Sequence, residues 1–116
     1  FAPDPVPPGY AEAIDAPMTL RRSALRANIG QVNALRAQLV DMQPLYAQLT
    51  LPIEITHGTA DTIVPLTIHS GPFAAAHPNA HLTVIEGAGH MPHYSHPDVV
   101  IEAIARAALR APLQSP

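Results

Sequence analysis

Asp61 and His90 are the residues of this sequence whose types and positions suit acid–base chemistry. A carboxylate that accepts the ring N–H of a histidine fixes the tautomer of the imidazole and stabilises its protonated form. The second ring nitrogen is then free to take a proton from a nucleophile or from water. Glu86 is a weaker candidate for the acid, because it precedes a turn and is expected to face solvent. This chemistry requires a fold that brings the carboxylate and the imidazole together.

Each of the two residues follows a segment that predicts a buried β-strand. Residues 51–58 and 81–86 are short, mostly apolar runs that contain β-branched side chains, which favour strands. Gly58 closes the first run, and Gly87 and Gly89 follow the second. Glycine at such a position permits a sharp turn and a close approach of the backbone to a neighbouring group. Both candidate residues are therefore expected on loops at strand ends.

Helices are expected between the two strands and after them. The first should span about residues 68–77, and the second about residues 97–111. The order strand, helix, strand, helix predicts two parallel strands joined by a right-handed crossover, and hence an α/β fold class. Loops that follow neighbouring parallel strands lie at one edge of the sheet, so Asp61 and His90 can meet there. Because two parallel strands are not stable alone, we expect the chain to supply the end of a larger sheet.

The helix predicted over residues 97–111 has an apolar face and a charged face. Pro97 falls in its first turn, after a cap at Ser95 or His96. The apolar face consists of Val100, Ala103, Ile104, Ala107 and Ala108. The opposite face carries charges four residues apart, at Asp98, Glu102, Arg106 and Arg110. We expect this helix to pack on the sheet, to pair Glu102 with Arg106, and to show its charges to water.

Two segments carry a family resemblance. Residues 51–65, LPIEITHGTADTIVP, resemble the acid-bearing segment of the α/β-hydrolase fold, and residues 87–93, GAGHMPH, resemble its histidine loop. The order of acid before histidine also agrees with that family. The resemblance covers roughly residues 51–111 and implies the C-terminal part of an α/β-hydrolase fold. It makes Asp61 the acid and His90 the base of a catalytic triad.

The first part of the chain is predicted to be helical. Residues 1–50 form one expected unit, with a proline-rich start that is typical of a linker, and residues 51–116 form the other, the C-terminal part of the hydrolase core. Apolar residues at helical spacing predict an amphipathic helix over about residues 16–42, which Gly30 would split or kink. By the resemblance, this unit is the end of a lid (cap) over the active site. Candidates to line a substrate pocket are Met18, Leu25, Tyr46 and Met91, although helix packing explains the first three equally well.

The nucleophile of the family pattern has no counterpart in this sequence. The family carries it in a Gly-x-Ser-x-Gly elbow between a strand and a helix. The serines here, Ser23, Ser70, Ser95 and Ser115, lack that context. The resemblance therefore implies that an N-terminal half of the same hydrolase, as a separate chain or as a missing segment, supplies the nucleophile and the oxyanion hole. That half and a small-molecule substrate are the expected partners, and the isolated chain is not expected to catalyse.

The function implied by the resemblance is that of a serine-type, esterase-like hydrolase that acts on a small apolar ester or a related substrate. Within the same family, an aspartate nucleophile would open epoxides or carbon–halogen bonds, and cofactor-free peroxidation is also known. A non-catalytic α/β-hydrolase-like binding module is an alternative of a different class. A free-standing helical interaction protein is a third alternative, and it would form no parallel strands.

Composition excludes several other classes of protein. The 116 residues carry a net charge of −3 with no lysine, so no basic patch indicates nucleic-acid binding. No apolar run approaches the length of a membrane span. The absence of cysteine excludes disulfides and thiolate metal sites. At 47% hydrophobic and 13% charged residues, the chain is apolar for its size, which predicts that a partner covers part of its surface.

Three histidines at intervals of three residues, His90, His93 and His96, raise the question of a metal site. A helix would align them, but Pro92 and Pro97 argue against a helix there. No acidic residue lies inside the run to complete a ligand set. We therefore expect no metal and no other cofactor.

Overall fold

The computed structural model describes residues 1–111, which divide into two compact units. One unit is Pro7–Leu49. The other contains Phe1–Val6 and the chain from Thr50 onward. Among the described helices, none combines the length and the apolar character that crossing a membrane requires.

The unit Pro7–Leu49 consists of consecutive helices. These are α1 (Tyr10–Ala13), α2 (Ala16–Thr19), α3 (Arg22–Met42) and a 3-10 helix (Gln43–Gln48). The predicted helix over residues 16–42 is therefore interrupted, but the break lies at Leu20 and Arg21 and the prediction of a break at Gly30 is wrong. Arg21 has an extended backbone, with φ −62° and ψ 142°, which separates α2 from α3. A single glycine costs a helix only about 1 kcal/mol, so α3 continues through Gly30.

The apolar side chains of α3 are exposed along its length. They include Leu25, Ile29, Val32, Leu35 and Leu39. No residue of α3 is buried. The amphipathic pattern is thus present, and the other helices of this unit leave the apolar face of α3 exposed.

The second unit is built on a parallel strand pair. Strand β1 (Ile53–Gly58) pairs with β2 (Ala80–Ile85), in a register that runs from Ile53 opposite Ala80 to Gly58 opposite Ile85. Helix α4 (Ser70–Ala76) connects the strands, and α5 (Pro92–Ser95) and α6 (Pro97–Arg110) follow them. The prediction of two parallel strands with flanking helices is confirmed. The alternative of a purely helical protein is wrong.

The loops that follow β1 and β2 are hydrogen-bonded to each other. Thr59 N–H donates to the carbonyl of Ile85, and Ala60 N–H donates to the carbonyl of Ala88, each over 3.0 Å. Gly58 lies where a Cβ atom would collide with the backbone oxygen of Ala88. Glycine at position 58 therefore allows the two loops to approach at the carboxyl edge of the strands.

The buried carboxylate of Glu54 ties β1 to β2 and α6. Its side chain is 4% exposed, and it accepts hydrogen bonds from Arg106 Nε at 3.1 Å and Arg110 Nη1 at 2.7 Å. His81 Nδ1 lies 2.9 Å from the same carboxylate. Burial alone would raise the pKa of Glu54, but the hydrogen bonds from His81, Arg110 and Arg106 outweigh it and hold the pKa below its usual value.

The arginines of α6 therefore lie against the sheet. Both guanidinium groups keep partial contact with water, with side chains 36% and 40% exposed, but they also bind Glu54, because its buried carboxylate must be surrounded by donors. Ala103 is buried as predicted, whereas Ile104 is exposed. The face of α6 that contacts β1 is thus partly a charged face.

Glu54→Gln should lower the free energy of unfolding at pH 7 by about 2 kcal/mol, since two guanidinium groups lose their carboxylate. The pKa of Glu54 is lowered in the folded state, so its stabilisation is present above the ordinary glutamate pKa and is lost as the pH falls through the lowered value. The variant should therefore lose less stability than the native protein between about pH 5 and pH 3. Urea unfolding of the intact protein at a series of pH values measures both effects.

The matched control is Glu102→Gln, which removes the same charge from an exposed position on α6. It should change the unfolding free energy by less than about 0.5 kcal/mol. Equal effects of the two substitutions would contradict the assignment of Glu54 as the anchor between strands and helix.

Candidate active site

Asp61 and His90 meet at the carboxyl ends of β1 and β2. Nδ1 of His90 lies 2.8 Å from Oδ2 of Asp61. The side chain of Asp61 is 5% exposed, whereas that of His90 is 40% exposed. An ionised carboxylate only accepts hydrogen bonds, so the pattern assigns a proton to Nδ1 of His90 and leaves Nε2 as the acceptor of the neutral ring. A buried carboxylate thus orients an accessible base.

The turn after β1 fixes the carboxylate of Asp61. Its Oδ1 accepts hydrogen bonds from the backbone N–H groups of Ile63 and Val64, each over 2.9 Å. Such bonds from an aspartate to the backbone two or three residues on are typical of tight turns. Burial raises the pKa of Asp61, but the hydrogen bonds from Val64, His90 and Ile63 outweigh it and hold the pKa below its usual value. The carboxylate is therefore an anion at neutral pH.

The loop that carries His90 is held by the first residues of the chain. Gly87 adopts φ 75°, which turns the backbone after β2. Gly89 N–H donates to Oδ2 of Asp4 over 2.8 Å, and this hydrogen bond lowers the pKa of Asp4. The ring of Phe1 packs edge-on against Tyr94, with centroids 5.5 Å apart. The interpretation of this segment as a linker is therefore wrong, because proline content predicts an extended chain but not what that chain contacts.

A cavity of about 320 Å³ opens at this edge of the strand pair. Its lining includes His57, Asp61, Val64, His90 and His93. The volume lies at the lower end of the range for small-molecule sites. The cavity therefore combines the accessible imidazole of His90 with room for a small ligand.

The predicted substrate-contacting residues lie in both units. Met18 and Leu25 are exposed on α2 and α3, and Tyr46 is half-buried in the 3-10 helix. Met91 is half-buried and directly follows His90. Their role as pocket residues stays a prediction.

The histidines at positions 90, 93 and 96 have separate partners. His93 packs against the ring of Tyr94, with centroids 4.6 Å apart, and His96 Nδ1 lies 2.9 Å from Oγ of Ser95. Pro92 does begin a single helical turn, α5, since proline is tolerated at the first helical position. In residues 1–111, no group of histidine, aspartate or glutamate side chains could hold a metal ion.

The described serines occupy positions unlike a nucleophile elbow. Ser23 lies on α3, and Ser95 lies on α5. Ser70 begins α4, is buried, and places Oγ 2.7 Å from Nδ1 of His57. Ser115 lies outside the described residues. None of the three described serines follows a strand directly, as the elbow serine of the α/β-hydrolase pattern does.

Sequence reasoning missed the roles of Asp4 and Ser70, and it left His57 as either a packed residue or a border of the site. Asp4 and Gly89 are 85 residues apart, and no local pattern connects them. The spacing of His57 four residues before Asp61 is the one sequence signal that could have drawn attention to the pair.

Comparisons with known proteins place the chain among hydrolase-fold proteins. The model of the Alpha/beta hydrolase family matches residues 1–103. The uncharacterized proteins Rv2715 of Mycobacterium tuberculosis and Mb2734 of Mycobacterium bovis are each 30% identical over 93 residues, which are 79% of this chain and 27% of theirs. The chain thus spans about a quarter of the length of these curated relatives. No solved structure matches the chain.

Asp61→Asn should reverse the tautomer of neutral His90. The amide oxygen can keep the turn hydrogen bonds to Ile63 and Val64, so the amide N–H would face Nδ1 and move the ring proton to Nε2. Long-range 1H–15N correlation spectra of the intact protein, recorded at a pH where the ring of His90 is neutral, distinguish the two tautomers. Asp98→Asn, the same change at an exposed position, should leave the tautomer of His90 unaltered; retention of the Nδ1–H form in Asp61→Asn would contradict the assigned pair.

Proposed function

Because this chain belongs to the alpha/beta hydrolase family, we propose that it supplies the acid and the base of a serine-type, esterase-like active site. The observation that supports the proposal is the 2.8 Å hydrogen bond between the buried Asp61 and the accessible His90. The substrate class that we propose is a small apolar ester or a related compound. The cavity of about 320 Å³ beside His90 agrees with a small acyl group.

In the proposed mechanism, Nε2 of His90 takes the proton of a serine hydroxyl as its oxygen attacks the ester carbonyl. Asp61 stays ionised and stabilises the imidazolium that forms. His90 then gives this proton to the alkoxide as the acyl–oxygen bond breaks, which releases the alcohol and leaves an acyl-enzyme. In the second half, Nε2 takes a proton from water as the water oxygen attacks the acyl carbonyl. His90 then returns this proton to the serine oxygen as the acyl–serine bond breaks, which releases the carboxylic acid and regenerates the free serine.

The nucleophile and the oxyanion donors are assigned to an N-terminal half of the same hydrolase. Two observations support this assignment. None of the serines in residues 1–111 occupies an elbow, and the chain corresponds to 27% of the length of its curated relatives. The N-terminal half is either a separate chain or a preceding segment of the same polypeptide.

The unit Pro7–Leu49 is proposed to be a lid (cap) segment, and the unit that contains Phe1–Val6 and the chain from Thr50 onward is proposed to be the core. The exposed apolar face of α3 supports this, because a lid presents apolar side chains to substrate or to the remainder of the enzyme. Within this proposal, the residues that contact substrate are Met18, Leu25, Tyr46 and Met91.

His90→Ala should lower kcat for p-nitrophenyl butyrate by about four orders of magnitude in the intact hydrolase, with little change in KM, because the base acts only in the transition state. Initial-rate assays measure the change, and circular dichroism verifies that the variant is folded. His69→Ala removes an exposed histidine of the same unit and should leave kcat within about twofold. Undiminished turnover by His90→Ala would contradict the assignment of the base.

Labelling with a fluorophosphonate probe identifies the nucleophile. The probe should attach to a serine of the N-terminal half, and the Ser70→Ala variant should still be labelled because Ser70 is buried against His57 and is not the serine that the probe modifies. Opening of an epoxide or release of halide without labelling would instead assign an aspartate nucleophile. Binding of ligand without labelling or turnover would assign the non-catalytic binding module.

A further inference from the structure

His57 is a second histidine at the edge of the candidate site, and the proposed mechanism does not use it. It lies in β1, four residues before Asp61, and its side chain is 9% exposed. Its Nε2 is 2.9 Å from the carbonyl oxygen of Val64, and its Nδ1 is 2.7 Å from Oγ of Ser70. A carbonyl oxygen only accepts, so the proton of the neutral ring lies on Nε2, and Nδ1 accepts the hydroxyl proton of Ser70. Both ring nitrogens are thus engaged.

Val64 connects this buried histidine to the carboxylate. The carbonyl of Val64 accepts the Nε2 proton of His57, and the N–H of Val64 donates to Oδ1 of Asp61 over 2.9 Å. Oδ2 of the same carboxylate accepts the Nδ1 proton of His90. The hydrogen bonds therefore form one connected series from Ser70 through His57, Val64 and Asp61 to His90.

We propose that His57 is a positioning residue that sets the orientation of the Asp61 carboxylate toward His90. By holding the carbonyl of Val64, it keeps the N–H of that residue directed at Oδ1 and so leaves Oδ2 facing the base. Its effect on turnover rests on the proposed function, whereas its effect on the hydrogen bond between Asp61 and His90 does not.

The distance between Nε2 of His57 and Oδ2 of Asp61 supports this role. At 3.6 Å the two atoms are too far apart for a good hydrogen bond, so Val64 is the main acceptor. The positive end of the N–H dipole nevertheless lies beside the anion in a poorly solvated place, where it is attractive. His57 thus acts on Asp61 mainly through the turn.

A direct catalytic role for His57 or Ser70 does not fit this geometry. His57 lines the cavity, but its Nε2 proton is bound to Val64 and its Nδ1 lone pair is bound to Ser70, so the neutral ring has no free site to accept a substrate proton. Ser70 is buried at the start of α4 and its partner is His57. An attack by Ser70 on a substrate would require this part of the unit to open.

The test compares His57→Leu, His57→Gln and Ser70→Ala in the intact protein. Leucine removes the donor to Val64, whereas the side-chain amide of glutamine can replace the Nε2 proton. The downfield Nδ1 proton resonance of His90 should shift or broaden in His57→Leu and stay near its native position in His57→Gln. kcat for p-nitrophenyl butyrate should fall about 10- to 100-fold in His57→Leu with unchanged KM, and His57→Gln should recover most of the loss.

Ser70→Ala should have a smaller effect than His57→Leu, about three- to tenfold on kcat, because the ring keeps its bond to Val64. His77→Leu is the matched control. His77 also bonds a backbone carbonyl, that of Phe73 at 2.7 Å, and lies in the same unit. This control should alter neither the His90 resonance nor kcat.

Several outcomes would overturn the proposal. These are a native His90 resonance in both His57 variants, equal loss in His57→Leu and His57→Gln, or the same response in His77→Leu. If His57→Leu does not fold, the other two variants test the proposal. Ser70→Ala should then perturb the Nδ1 proton resonance of His90, whereas His57→Gln should leave it near its native position. A protein without ester turnover whose His90 resonance responds to His57→Leu would refute the proposed function and support this inference. Ester turnover that is the same in the native protein and in the His57 variants would support the proposed function and refute this inference.

Discussion

An anion in the place of Asp61 is stable only where hydrogen-bond donors surround it, because a buried carboxylate has lost its water. Two of the donors come from the backbone of the following turn, and a third comes from His90. The first two require a turn at a fixed position after β1. The third requires β2 beside β1, in the register that puts Gly58 opposite Ile85. The ionised state of Asp61 therefore depends on the parallel pairing of the strands.

Glu54 in β1 and Asp61 just after β1 are both buried carboxylates, but their hydrogen-bond partners suit them to different roles. Glu54 is bound by two guanidinium groups, which carry a permanent positive charge, and by the exposed imidazole of His81. Such a carboxylate holds elements together and has no proton to exchange near neutral pH. Asp61 is bound by backbone N–H groups and by an imidazole that can be neutral or charged. His90 lines the cavity, whereas His81 lies near the start of β2, so the arrangement at Asp61 is the one placed to stabilise a proton that arrives during a reaction.

The parts of the fold that follow local patterns could be predicted from the sequence. The β-branched runs gave the strands within two residues of their observed bounds, and Pro97 marked the start of α6. The proximity of Asp61 and His90 followed from topology, since each residue lies just beyond one strand of a parallel pair. Local patterns do not say which distant side chain will meet a polar residue. The contacts of Glu54 with the arginines of α6 and of Asp4 with the histidine loop were therefore missed.

The break between α2 and α3 has a similar origin. Glycine is the residue that weakens a helix most among non-prolines, so the sequence favoured Gly30, but a long helix tolerates that small cost. The observed break depends on the extended backbone of Arg21. Arginine is a good helix former, so its residue type does not predict a break at this position. Helix propensity thus favoured a break at Gly30, whereas the backbone conformation at the start of α3 puts the break at Leu20 and Arg21.

The two histidines beside Asp61 hold their protons on opposite nitrogens, and this difference separates their capacities. His57 donates from Nε2 to Val64 and accepts at Nδ1 from Ser70, so its hydrogen-bonding capacity is exhausted inside the unit. His90 donates from Nδ1 to Asp61, and its side chain is 40% exposed at the cavity. A base needs an unoccupied lone pair within reach of a substrate. Of the two rings, His90 meets that requirement, and it does so because the carboxylate has fixed its proton on the buried side.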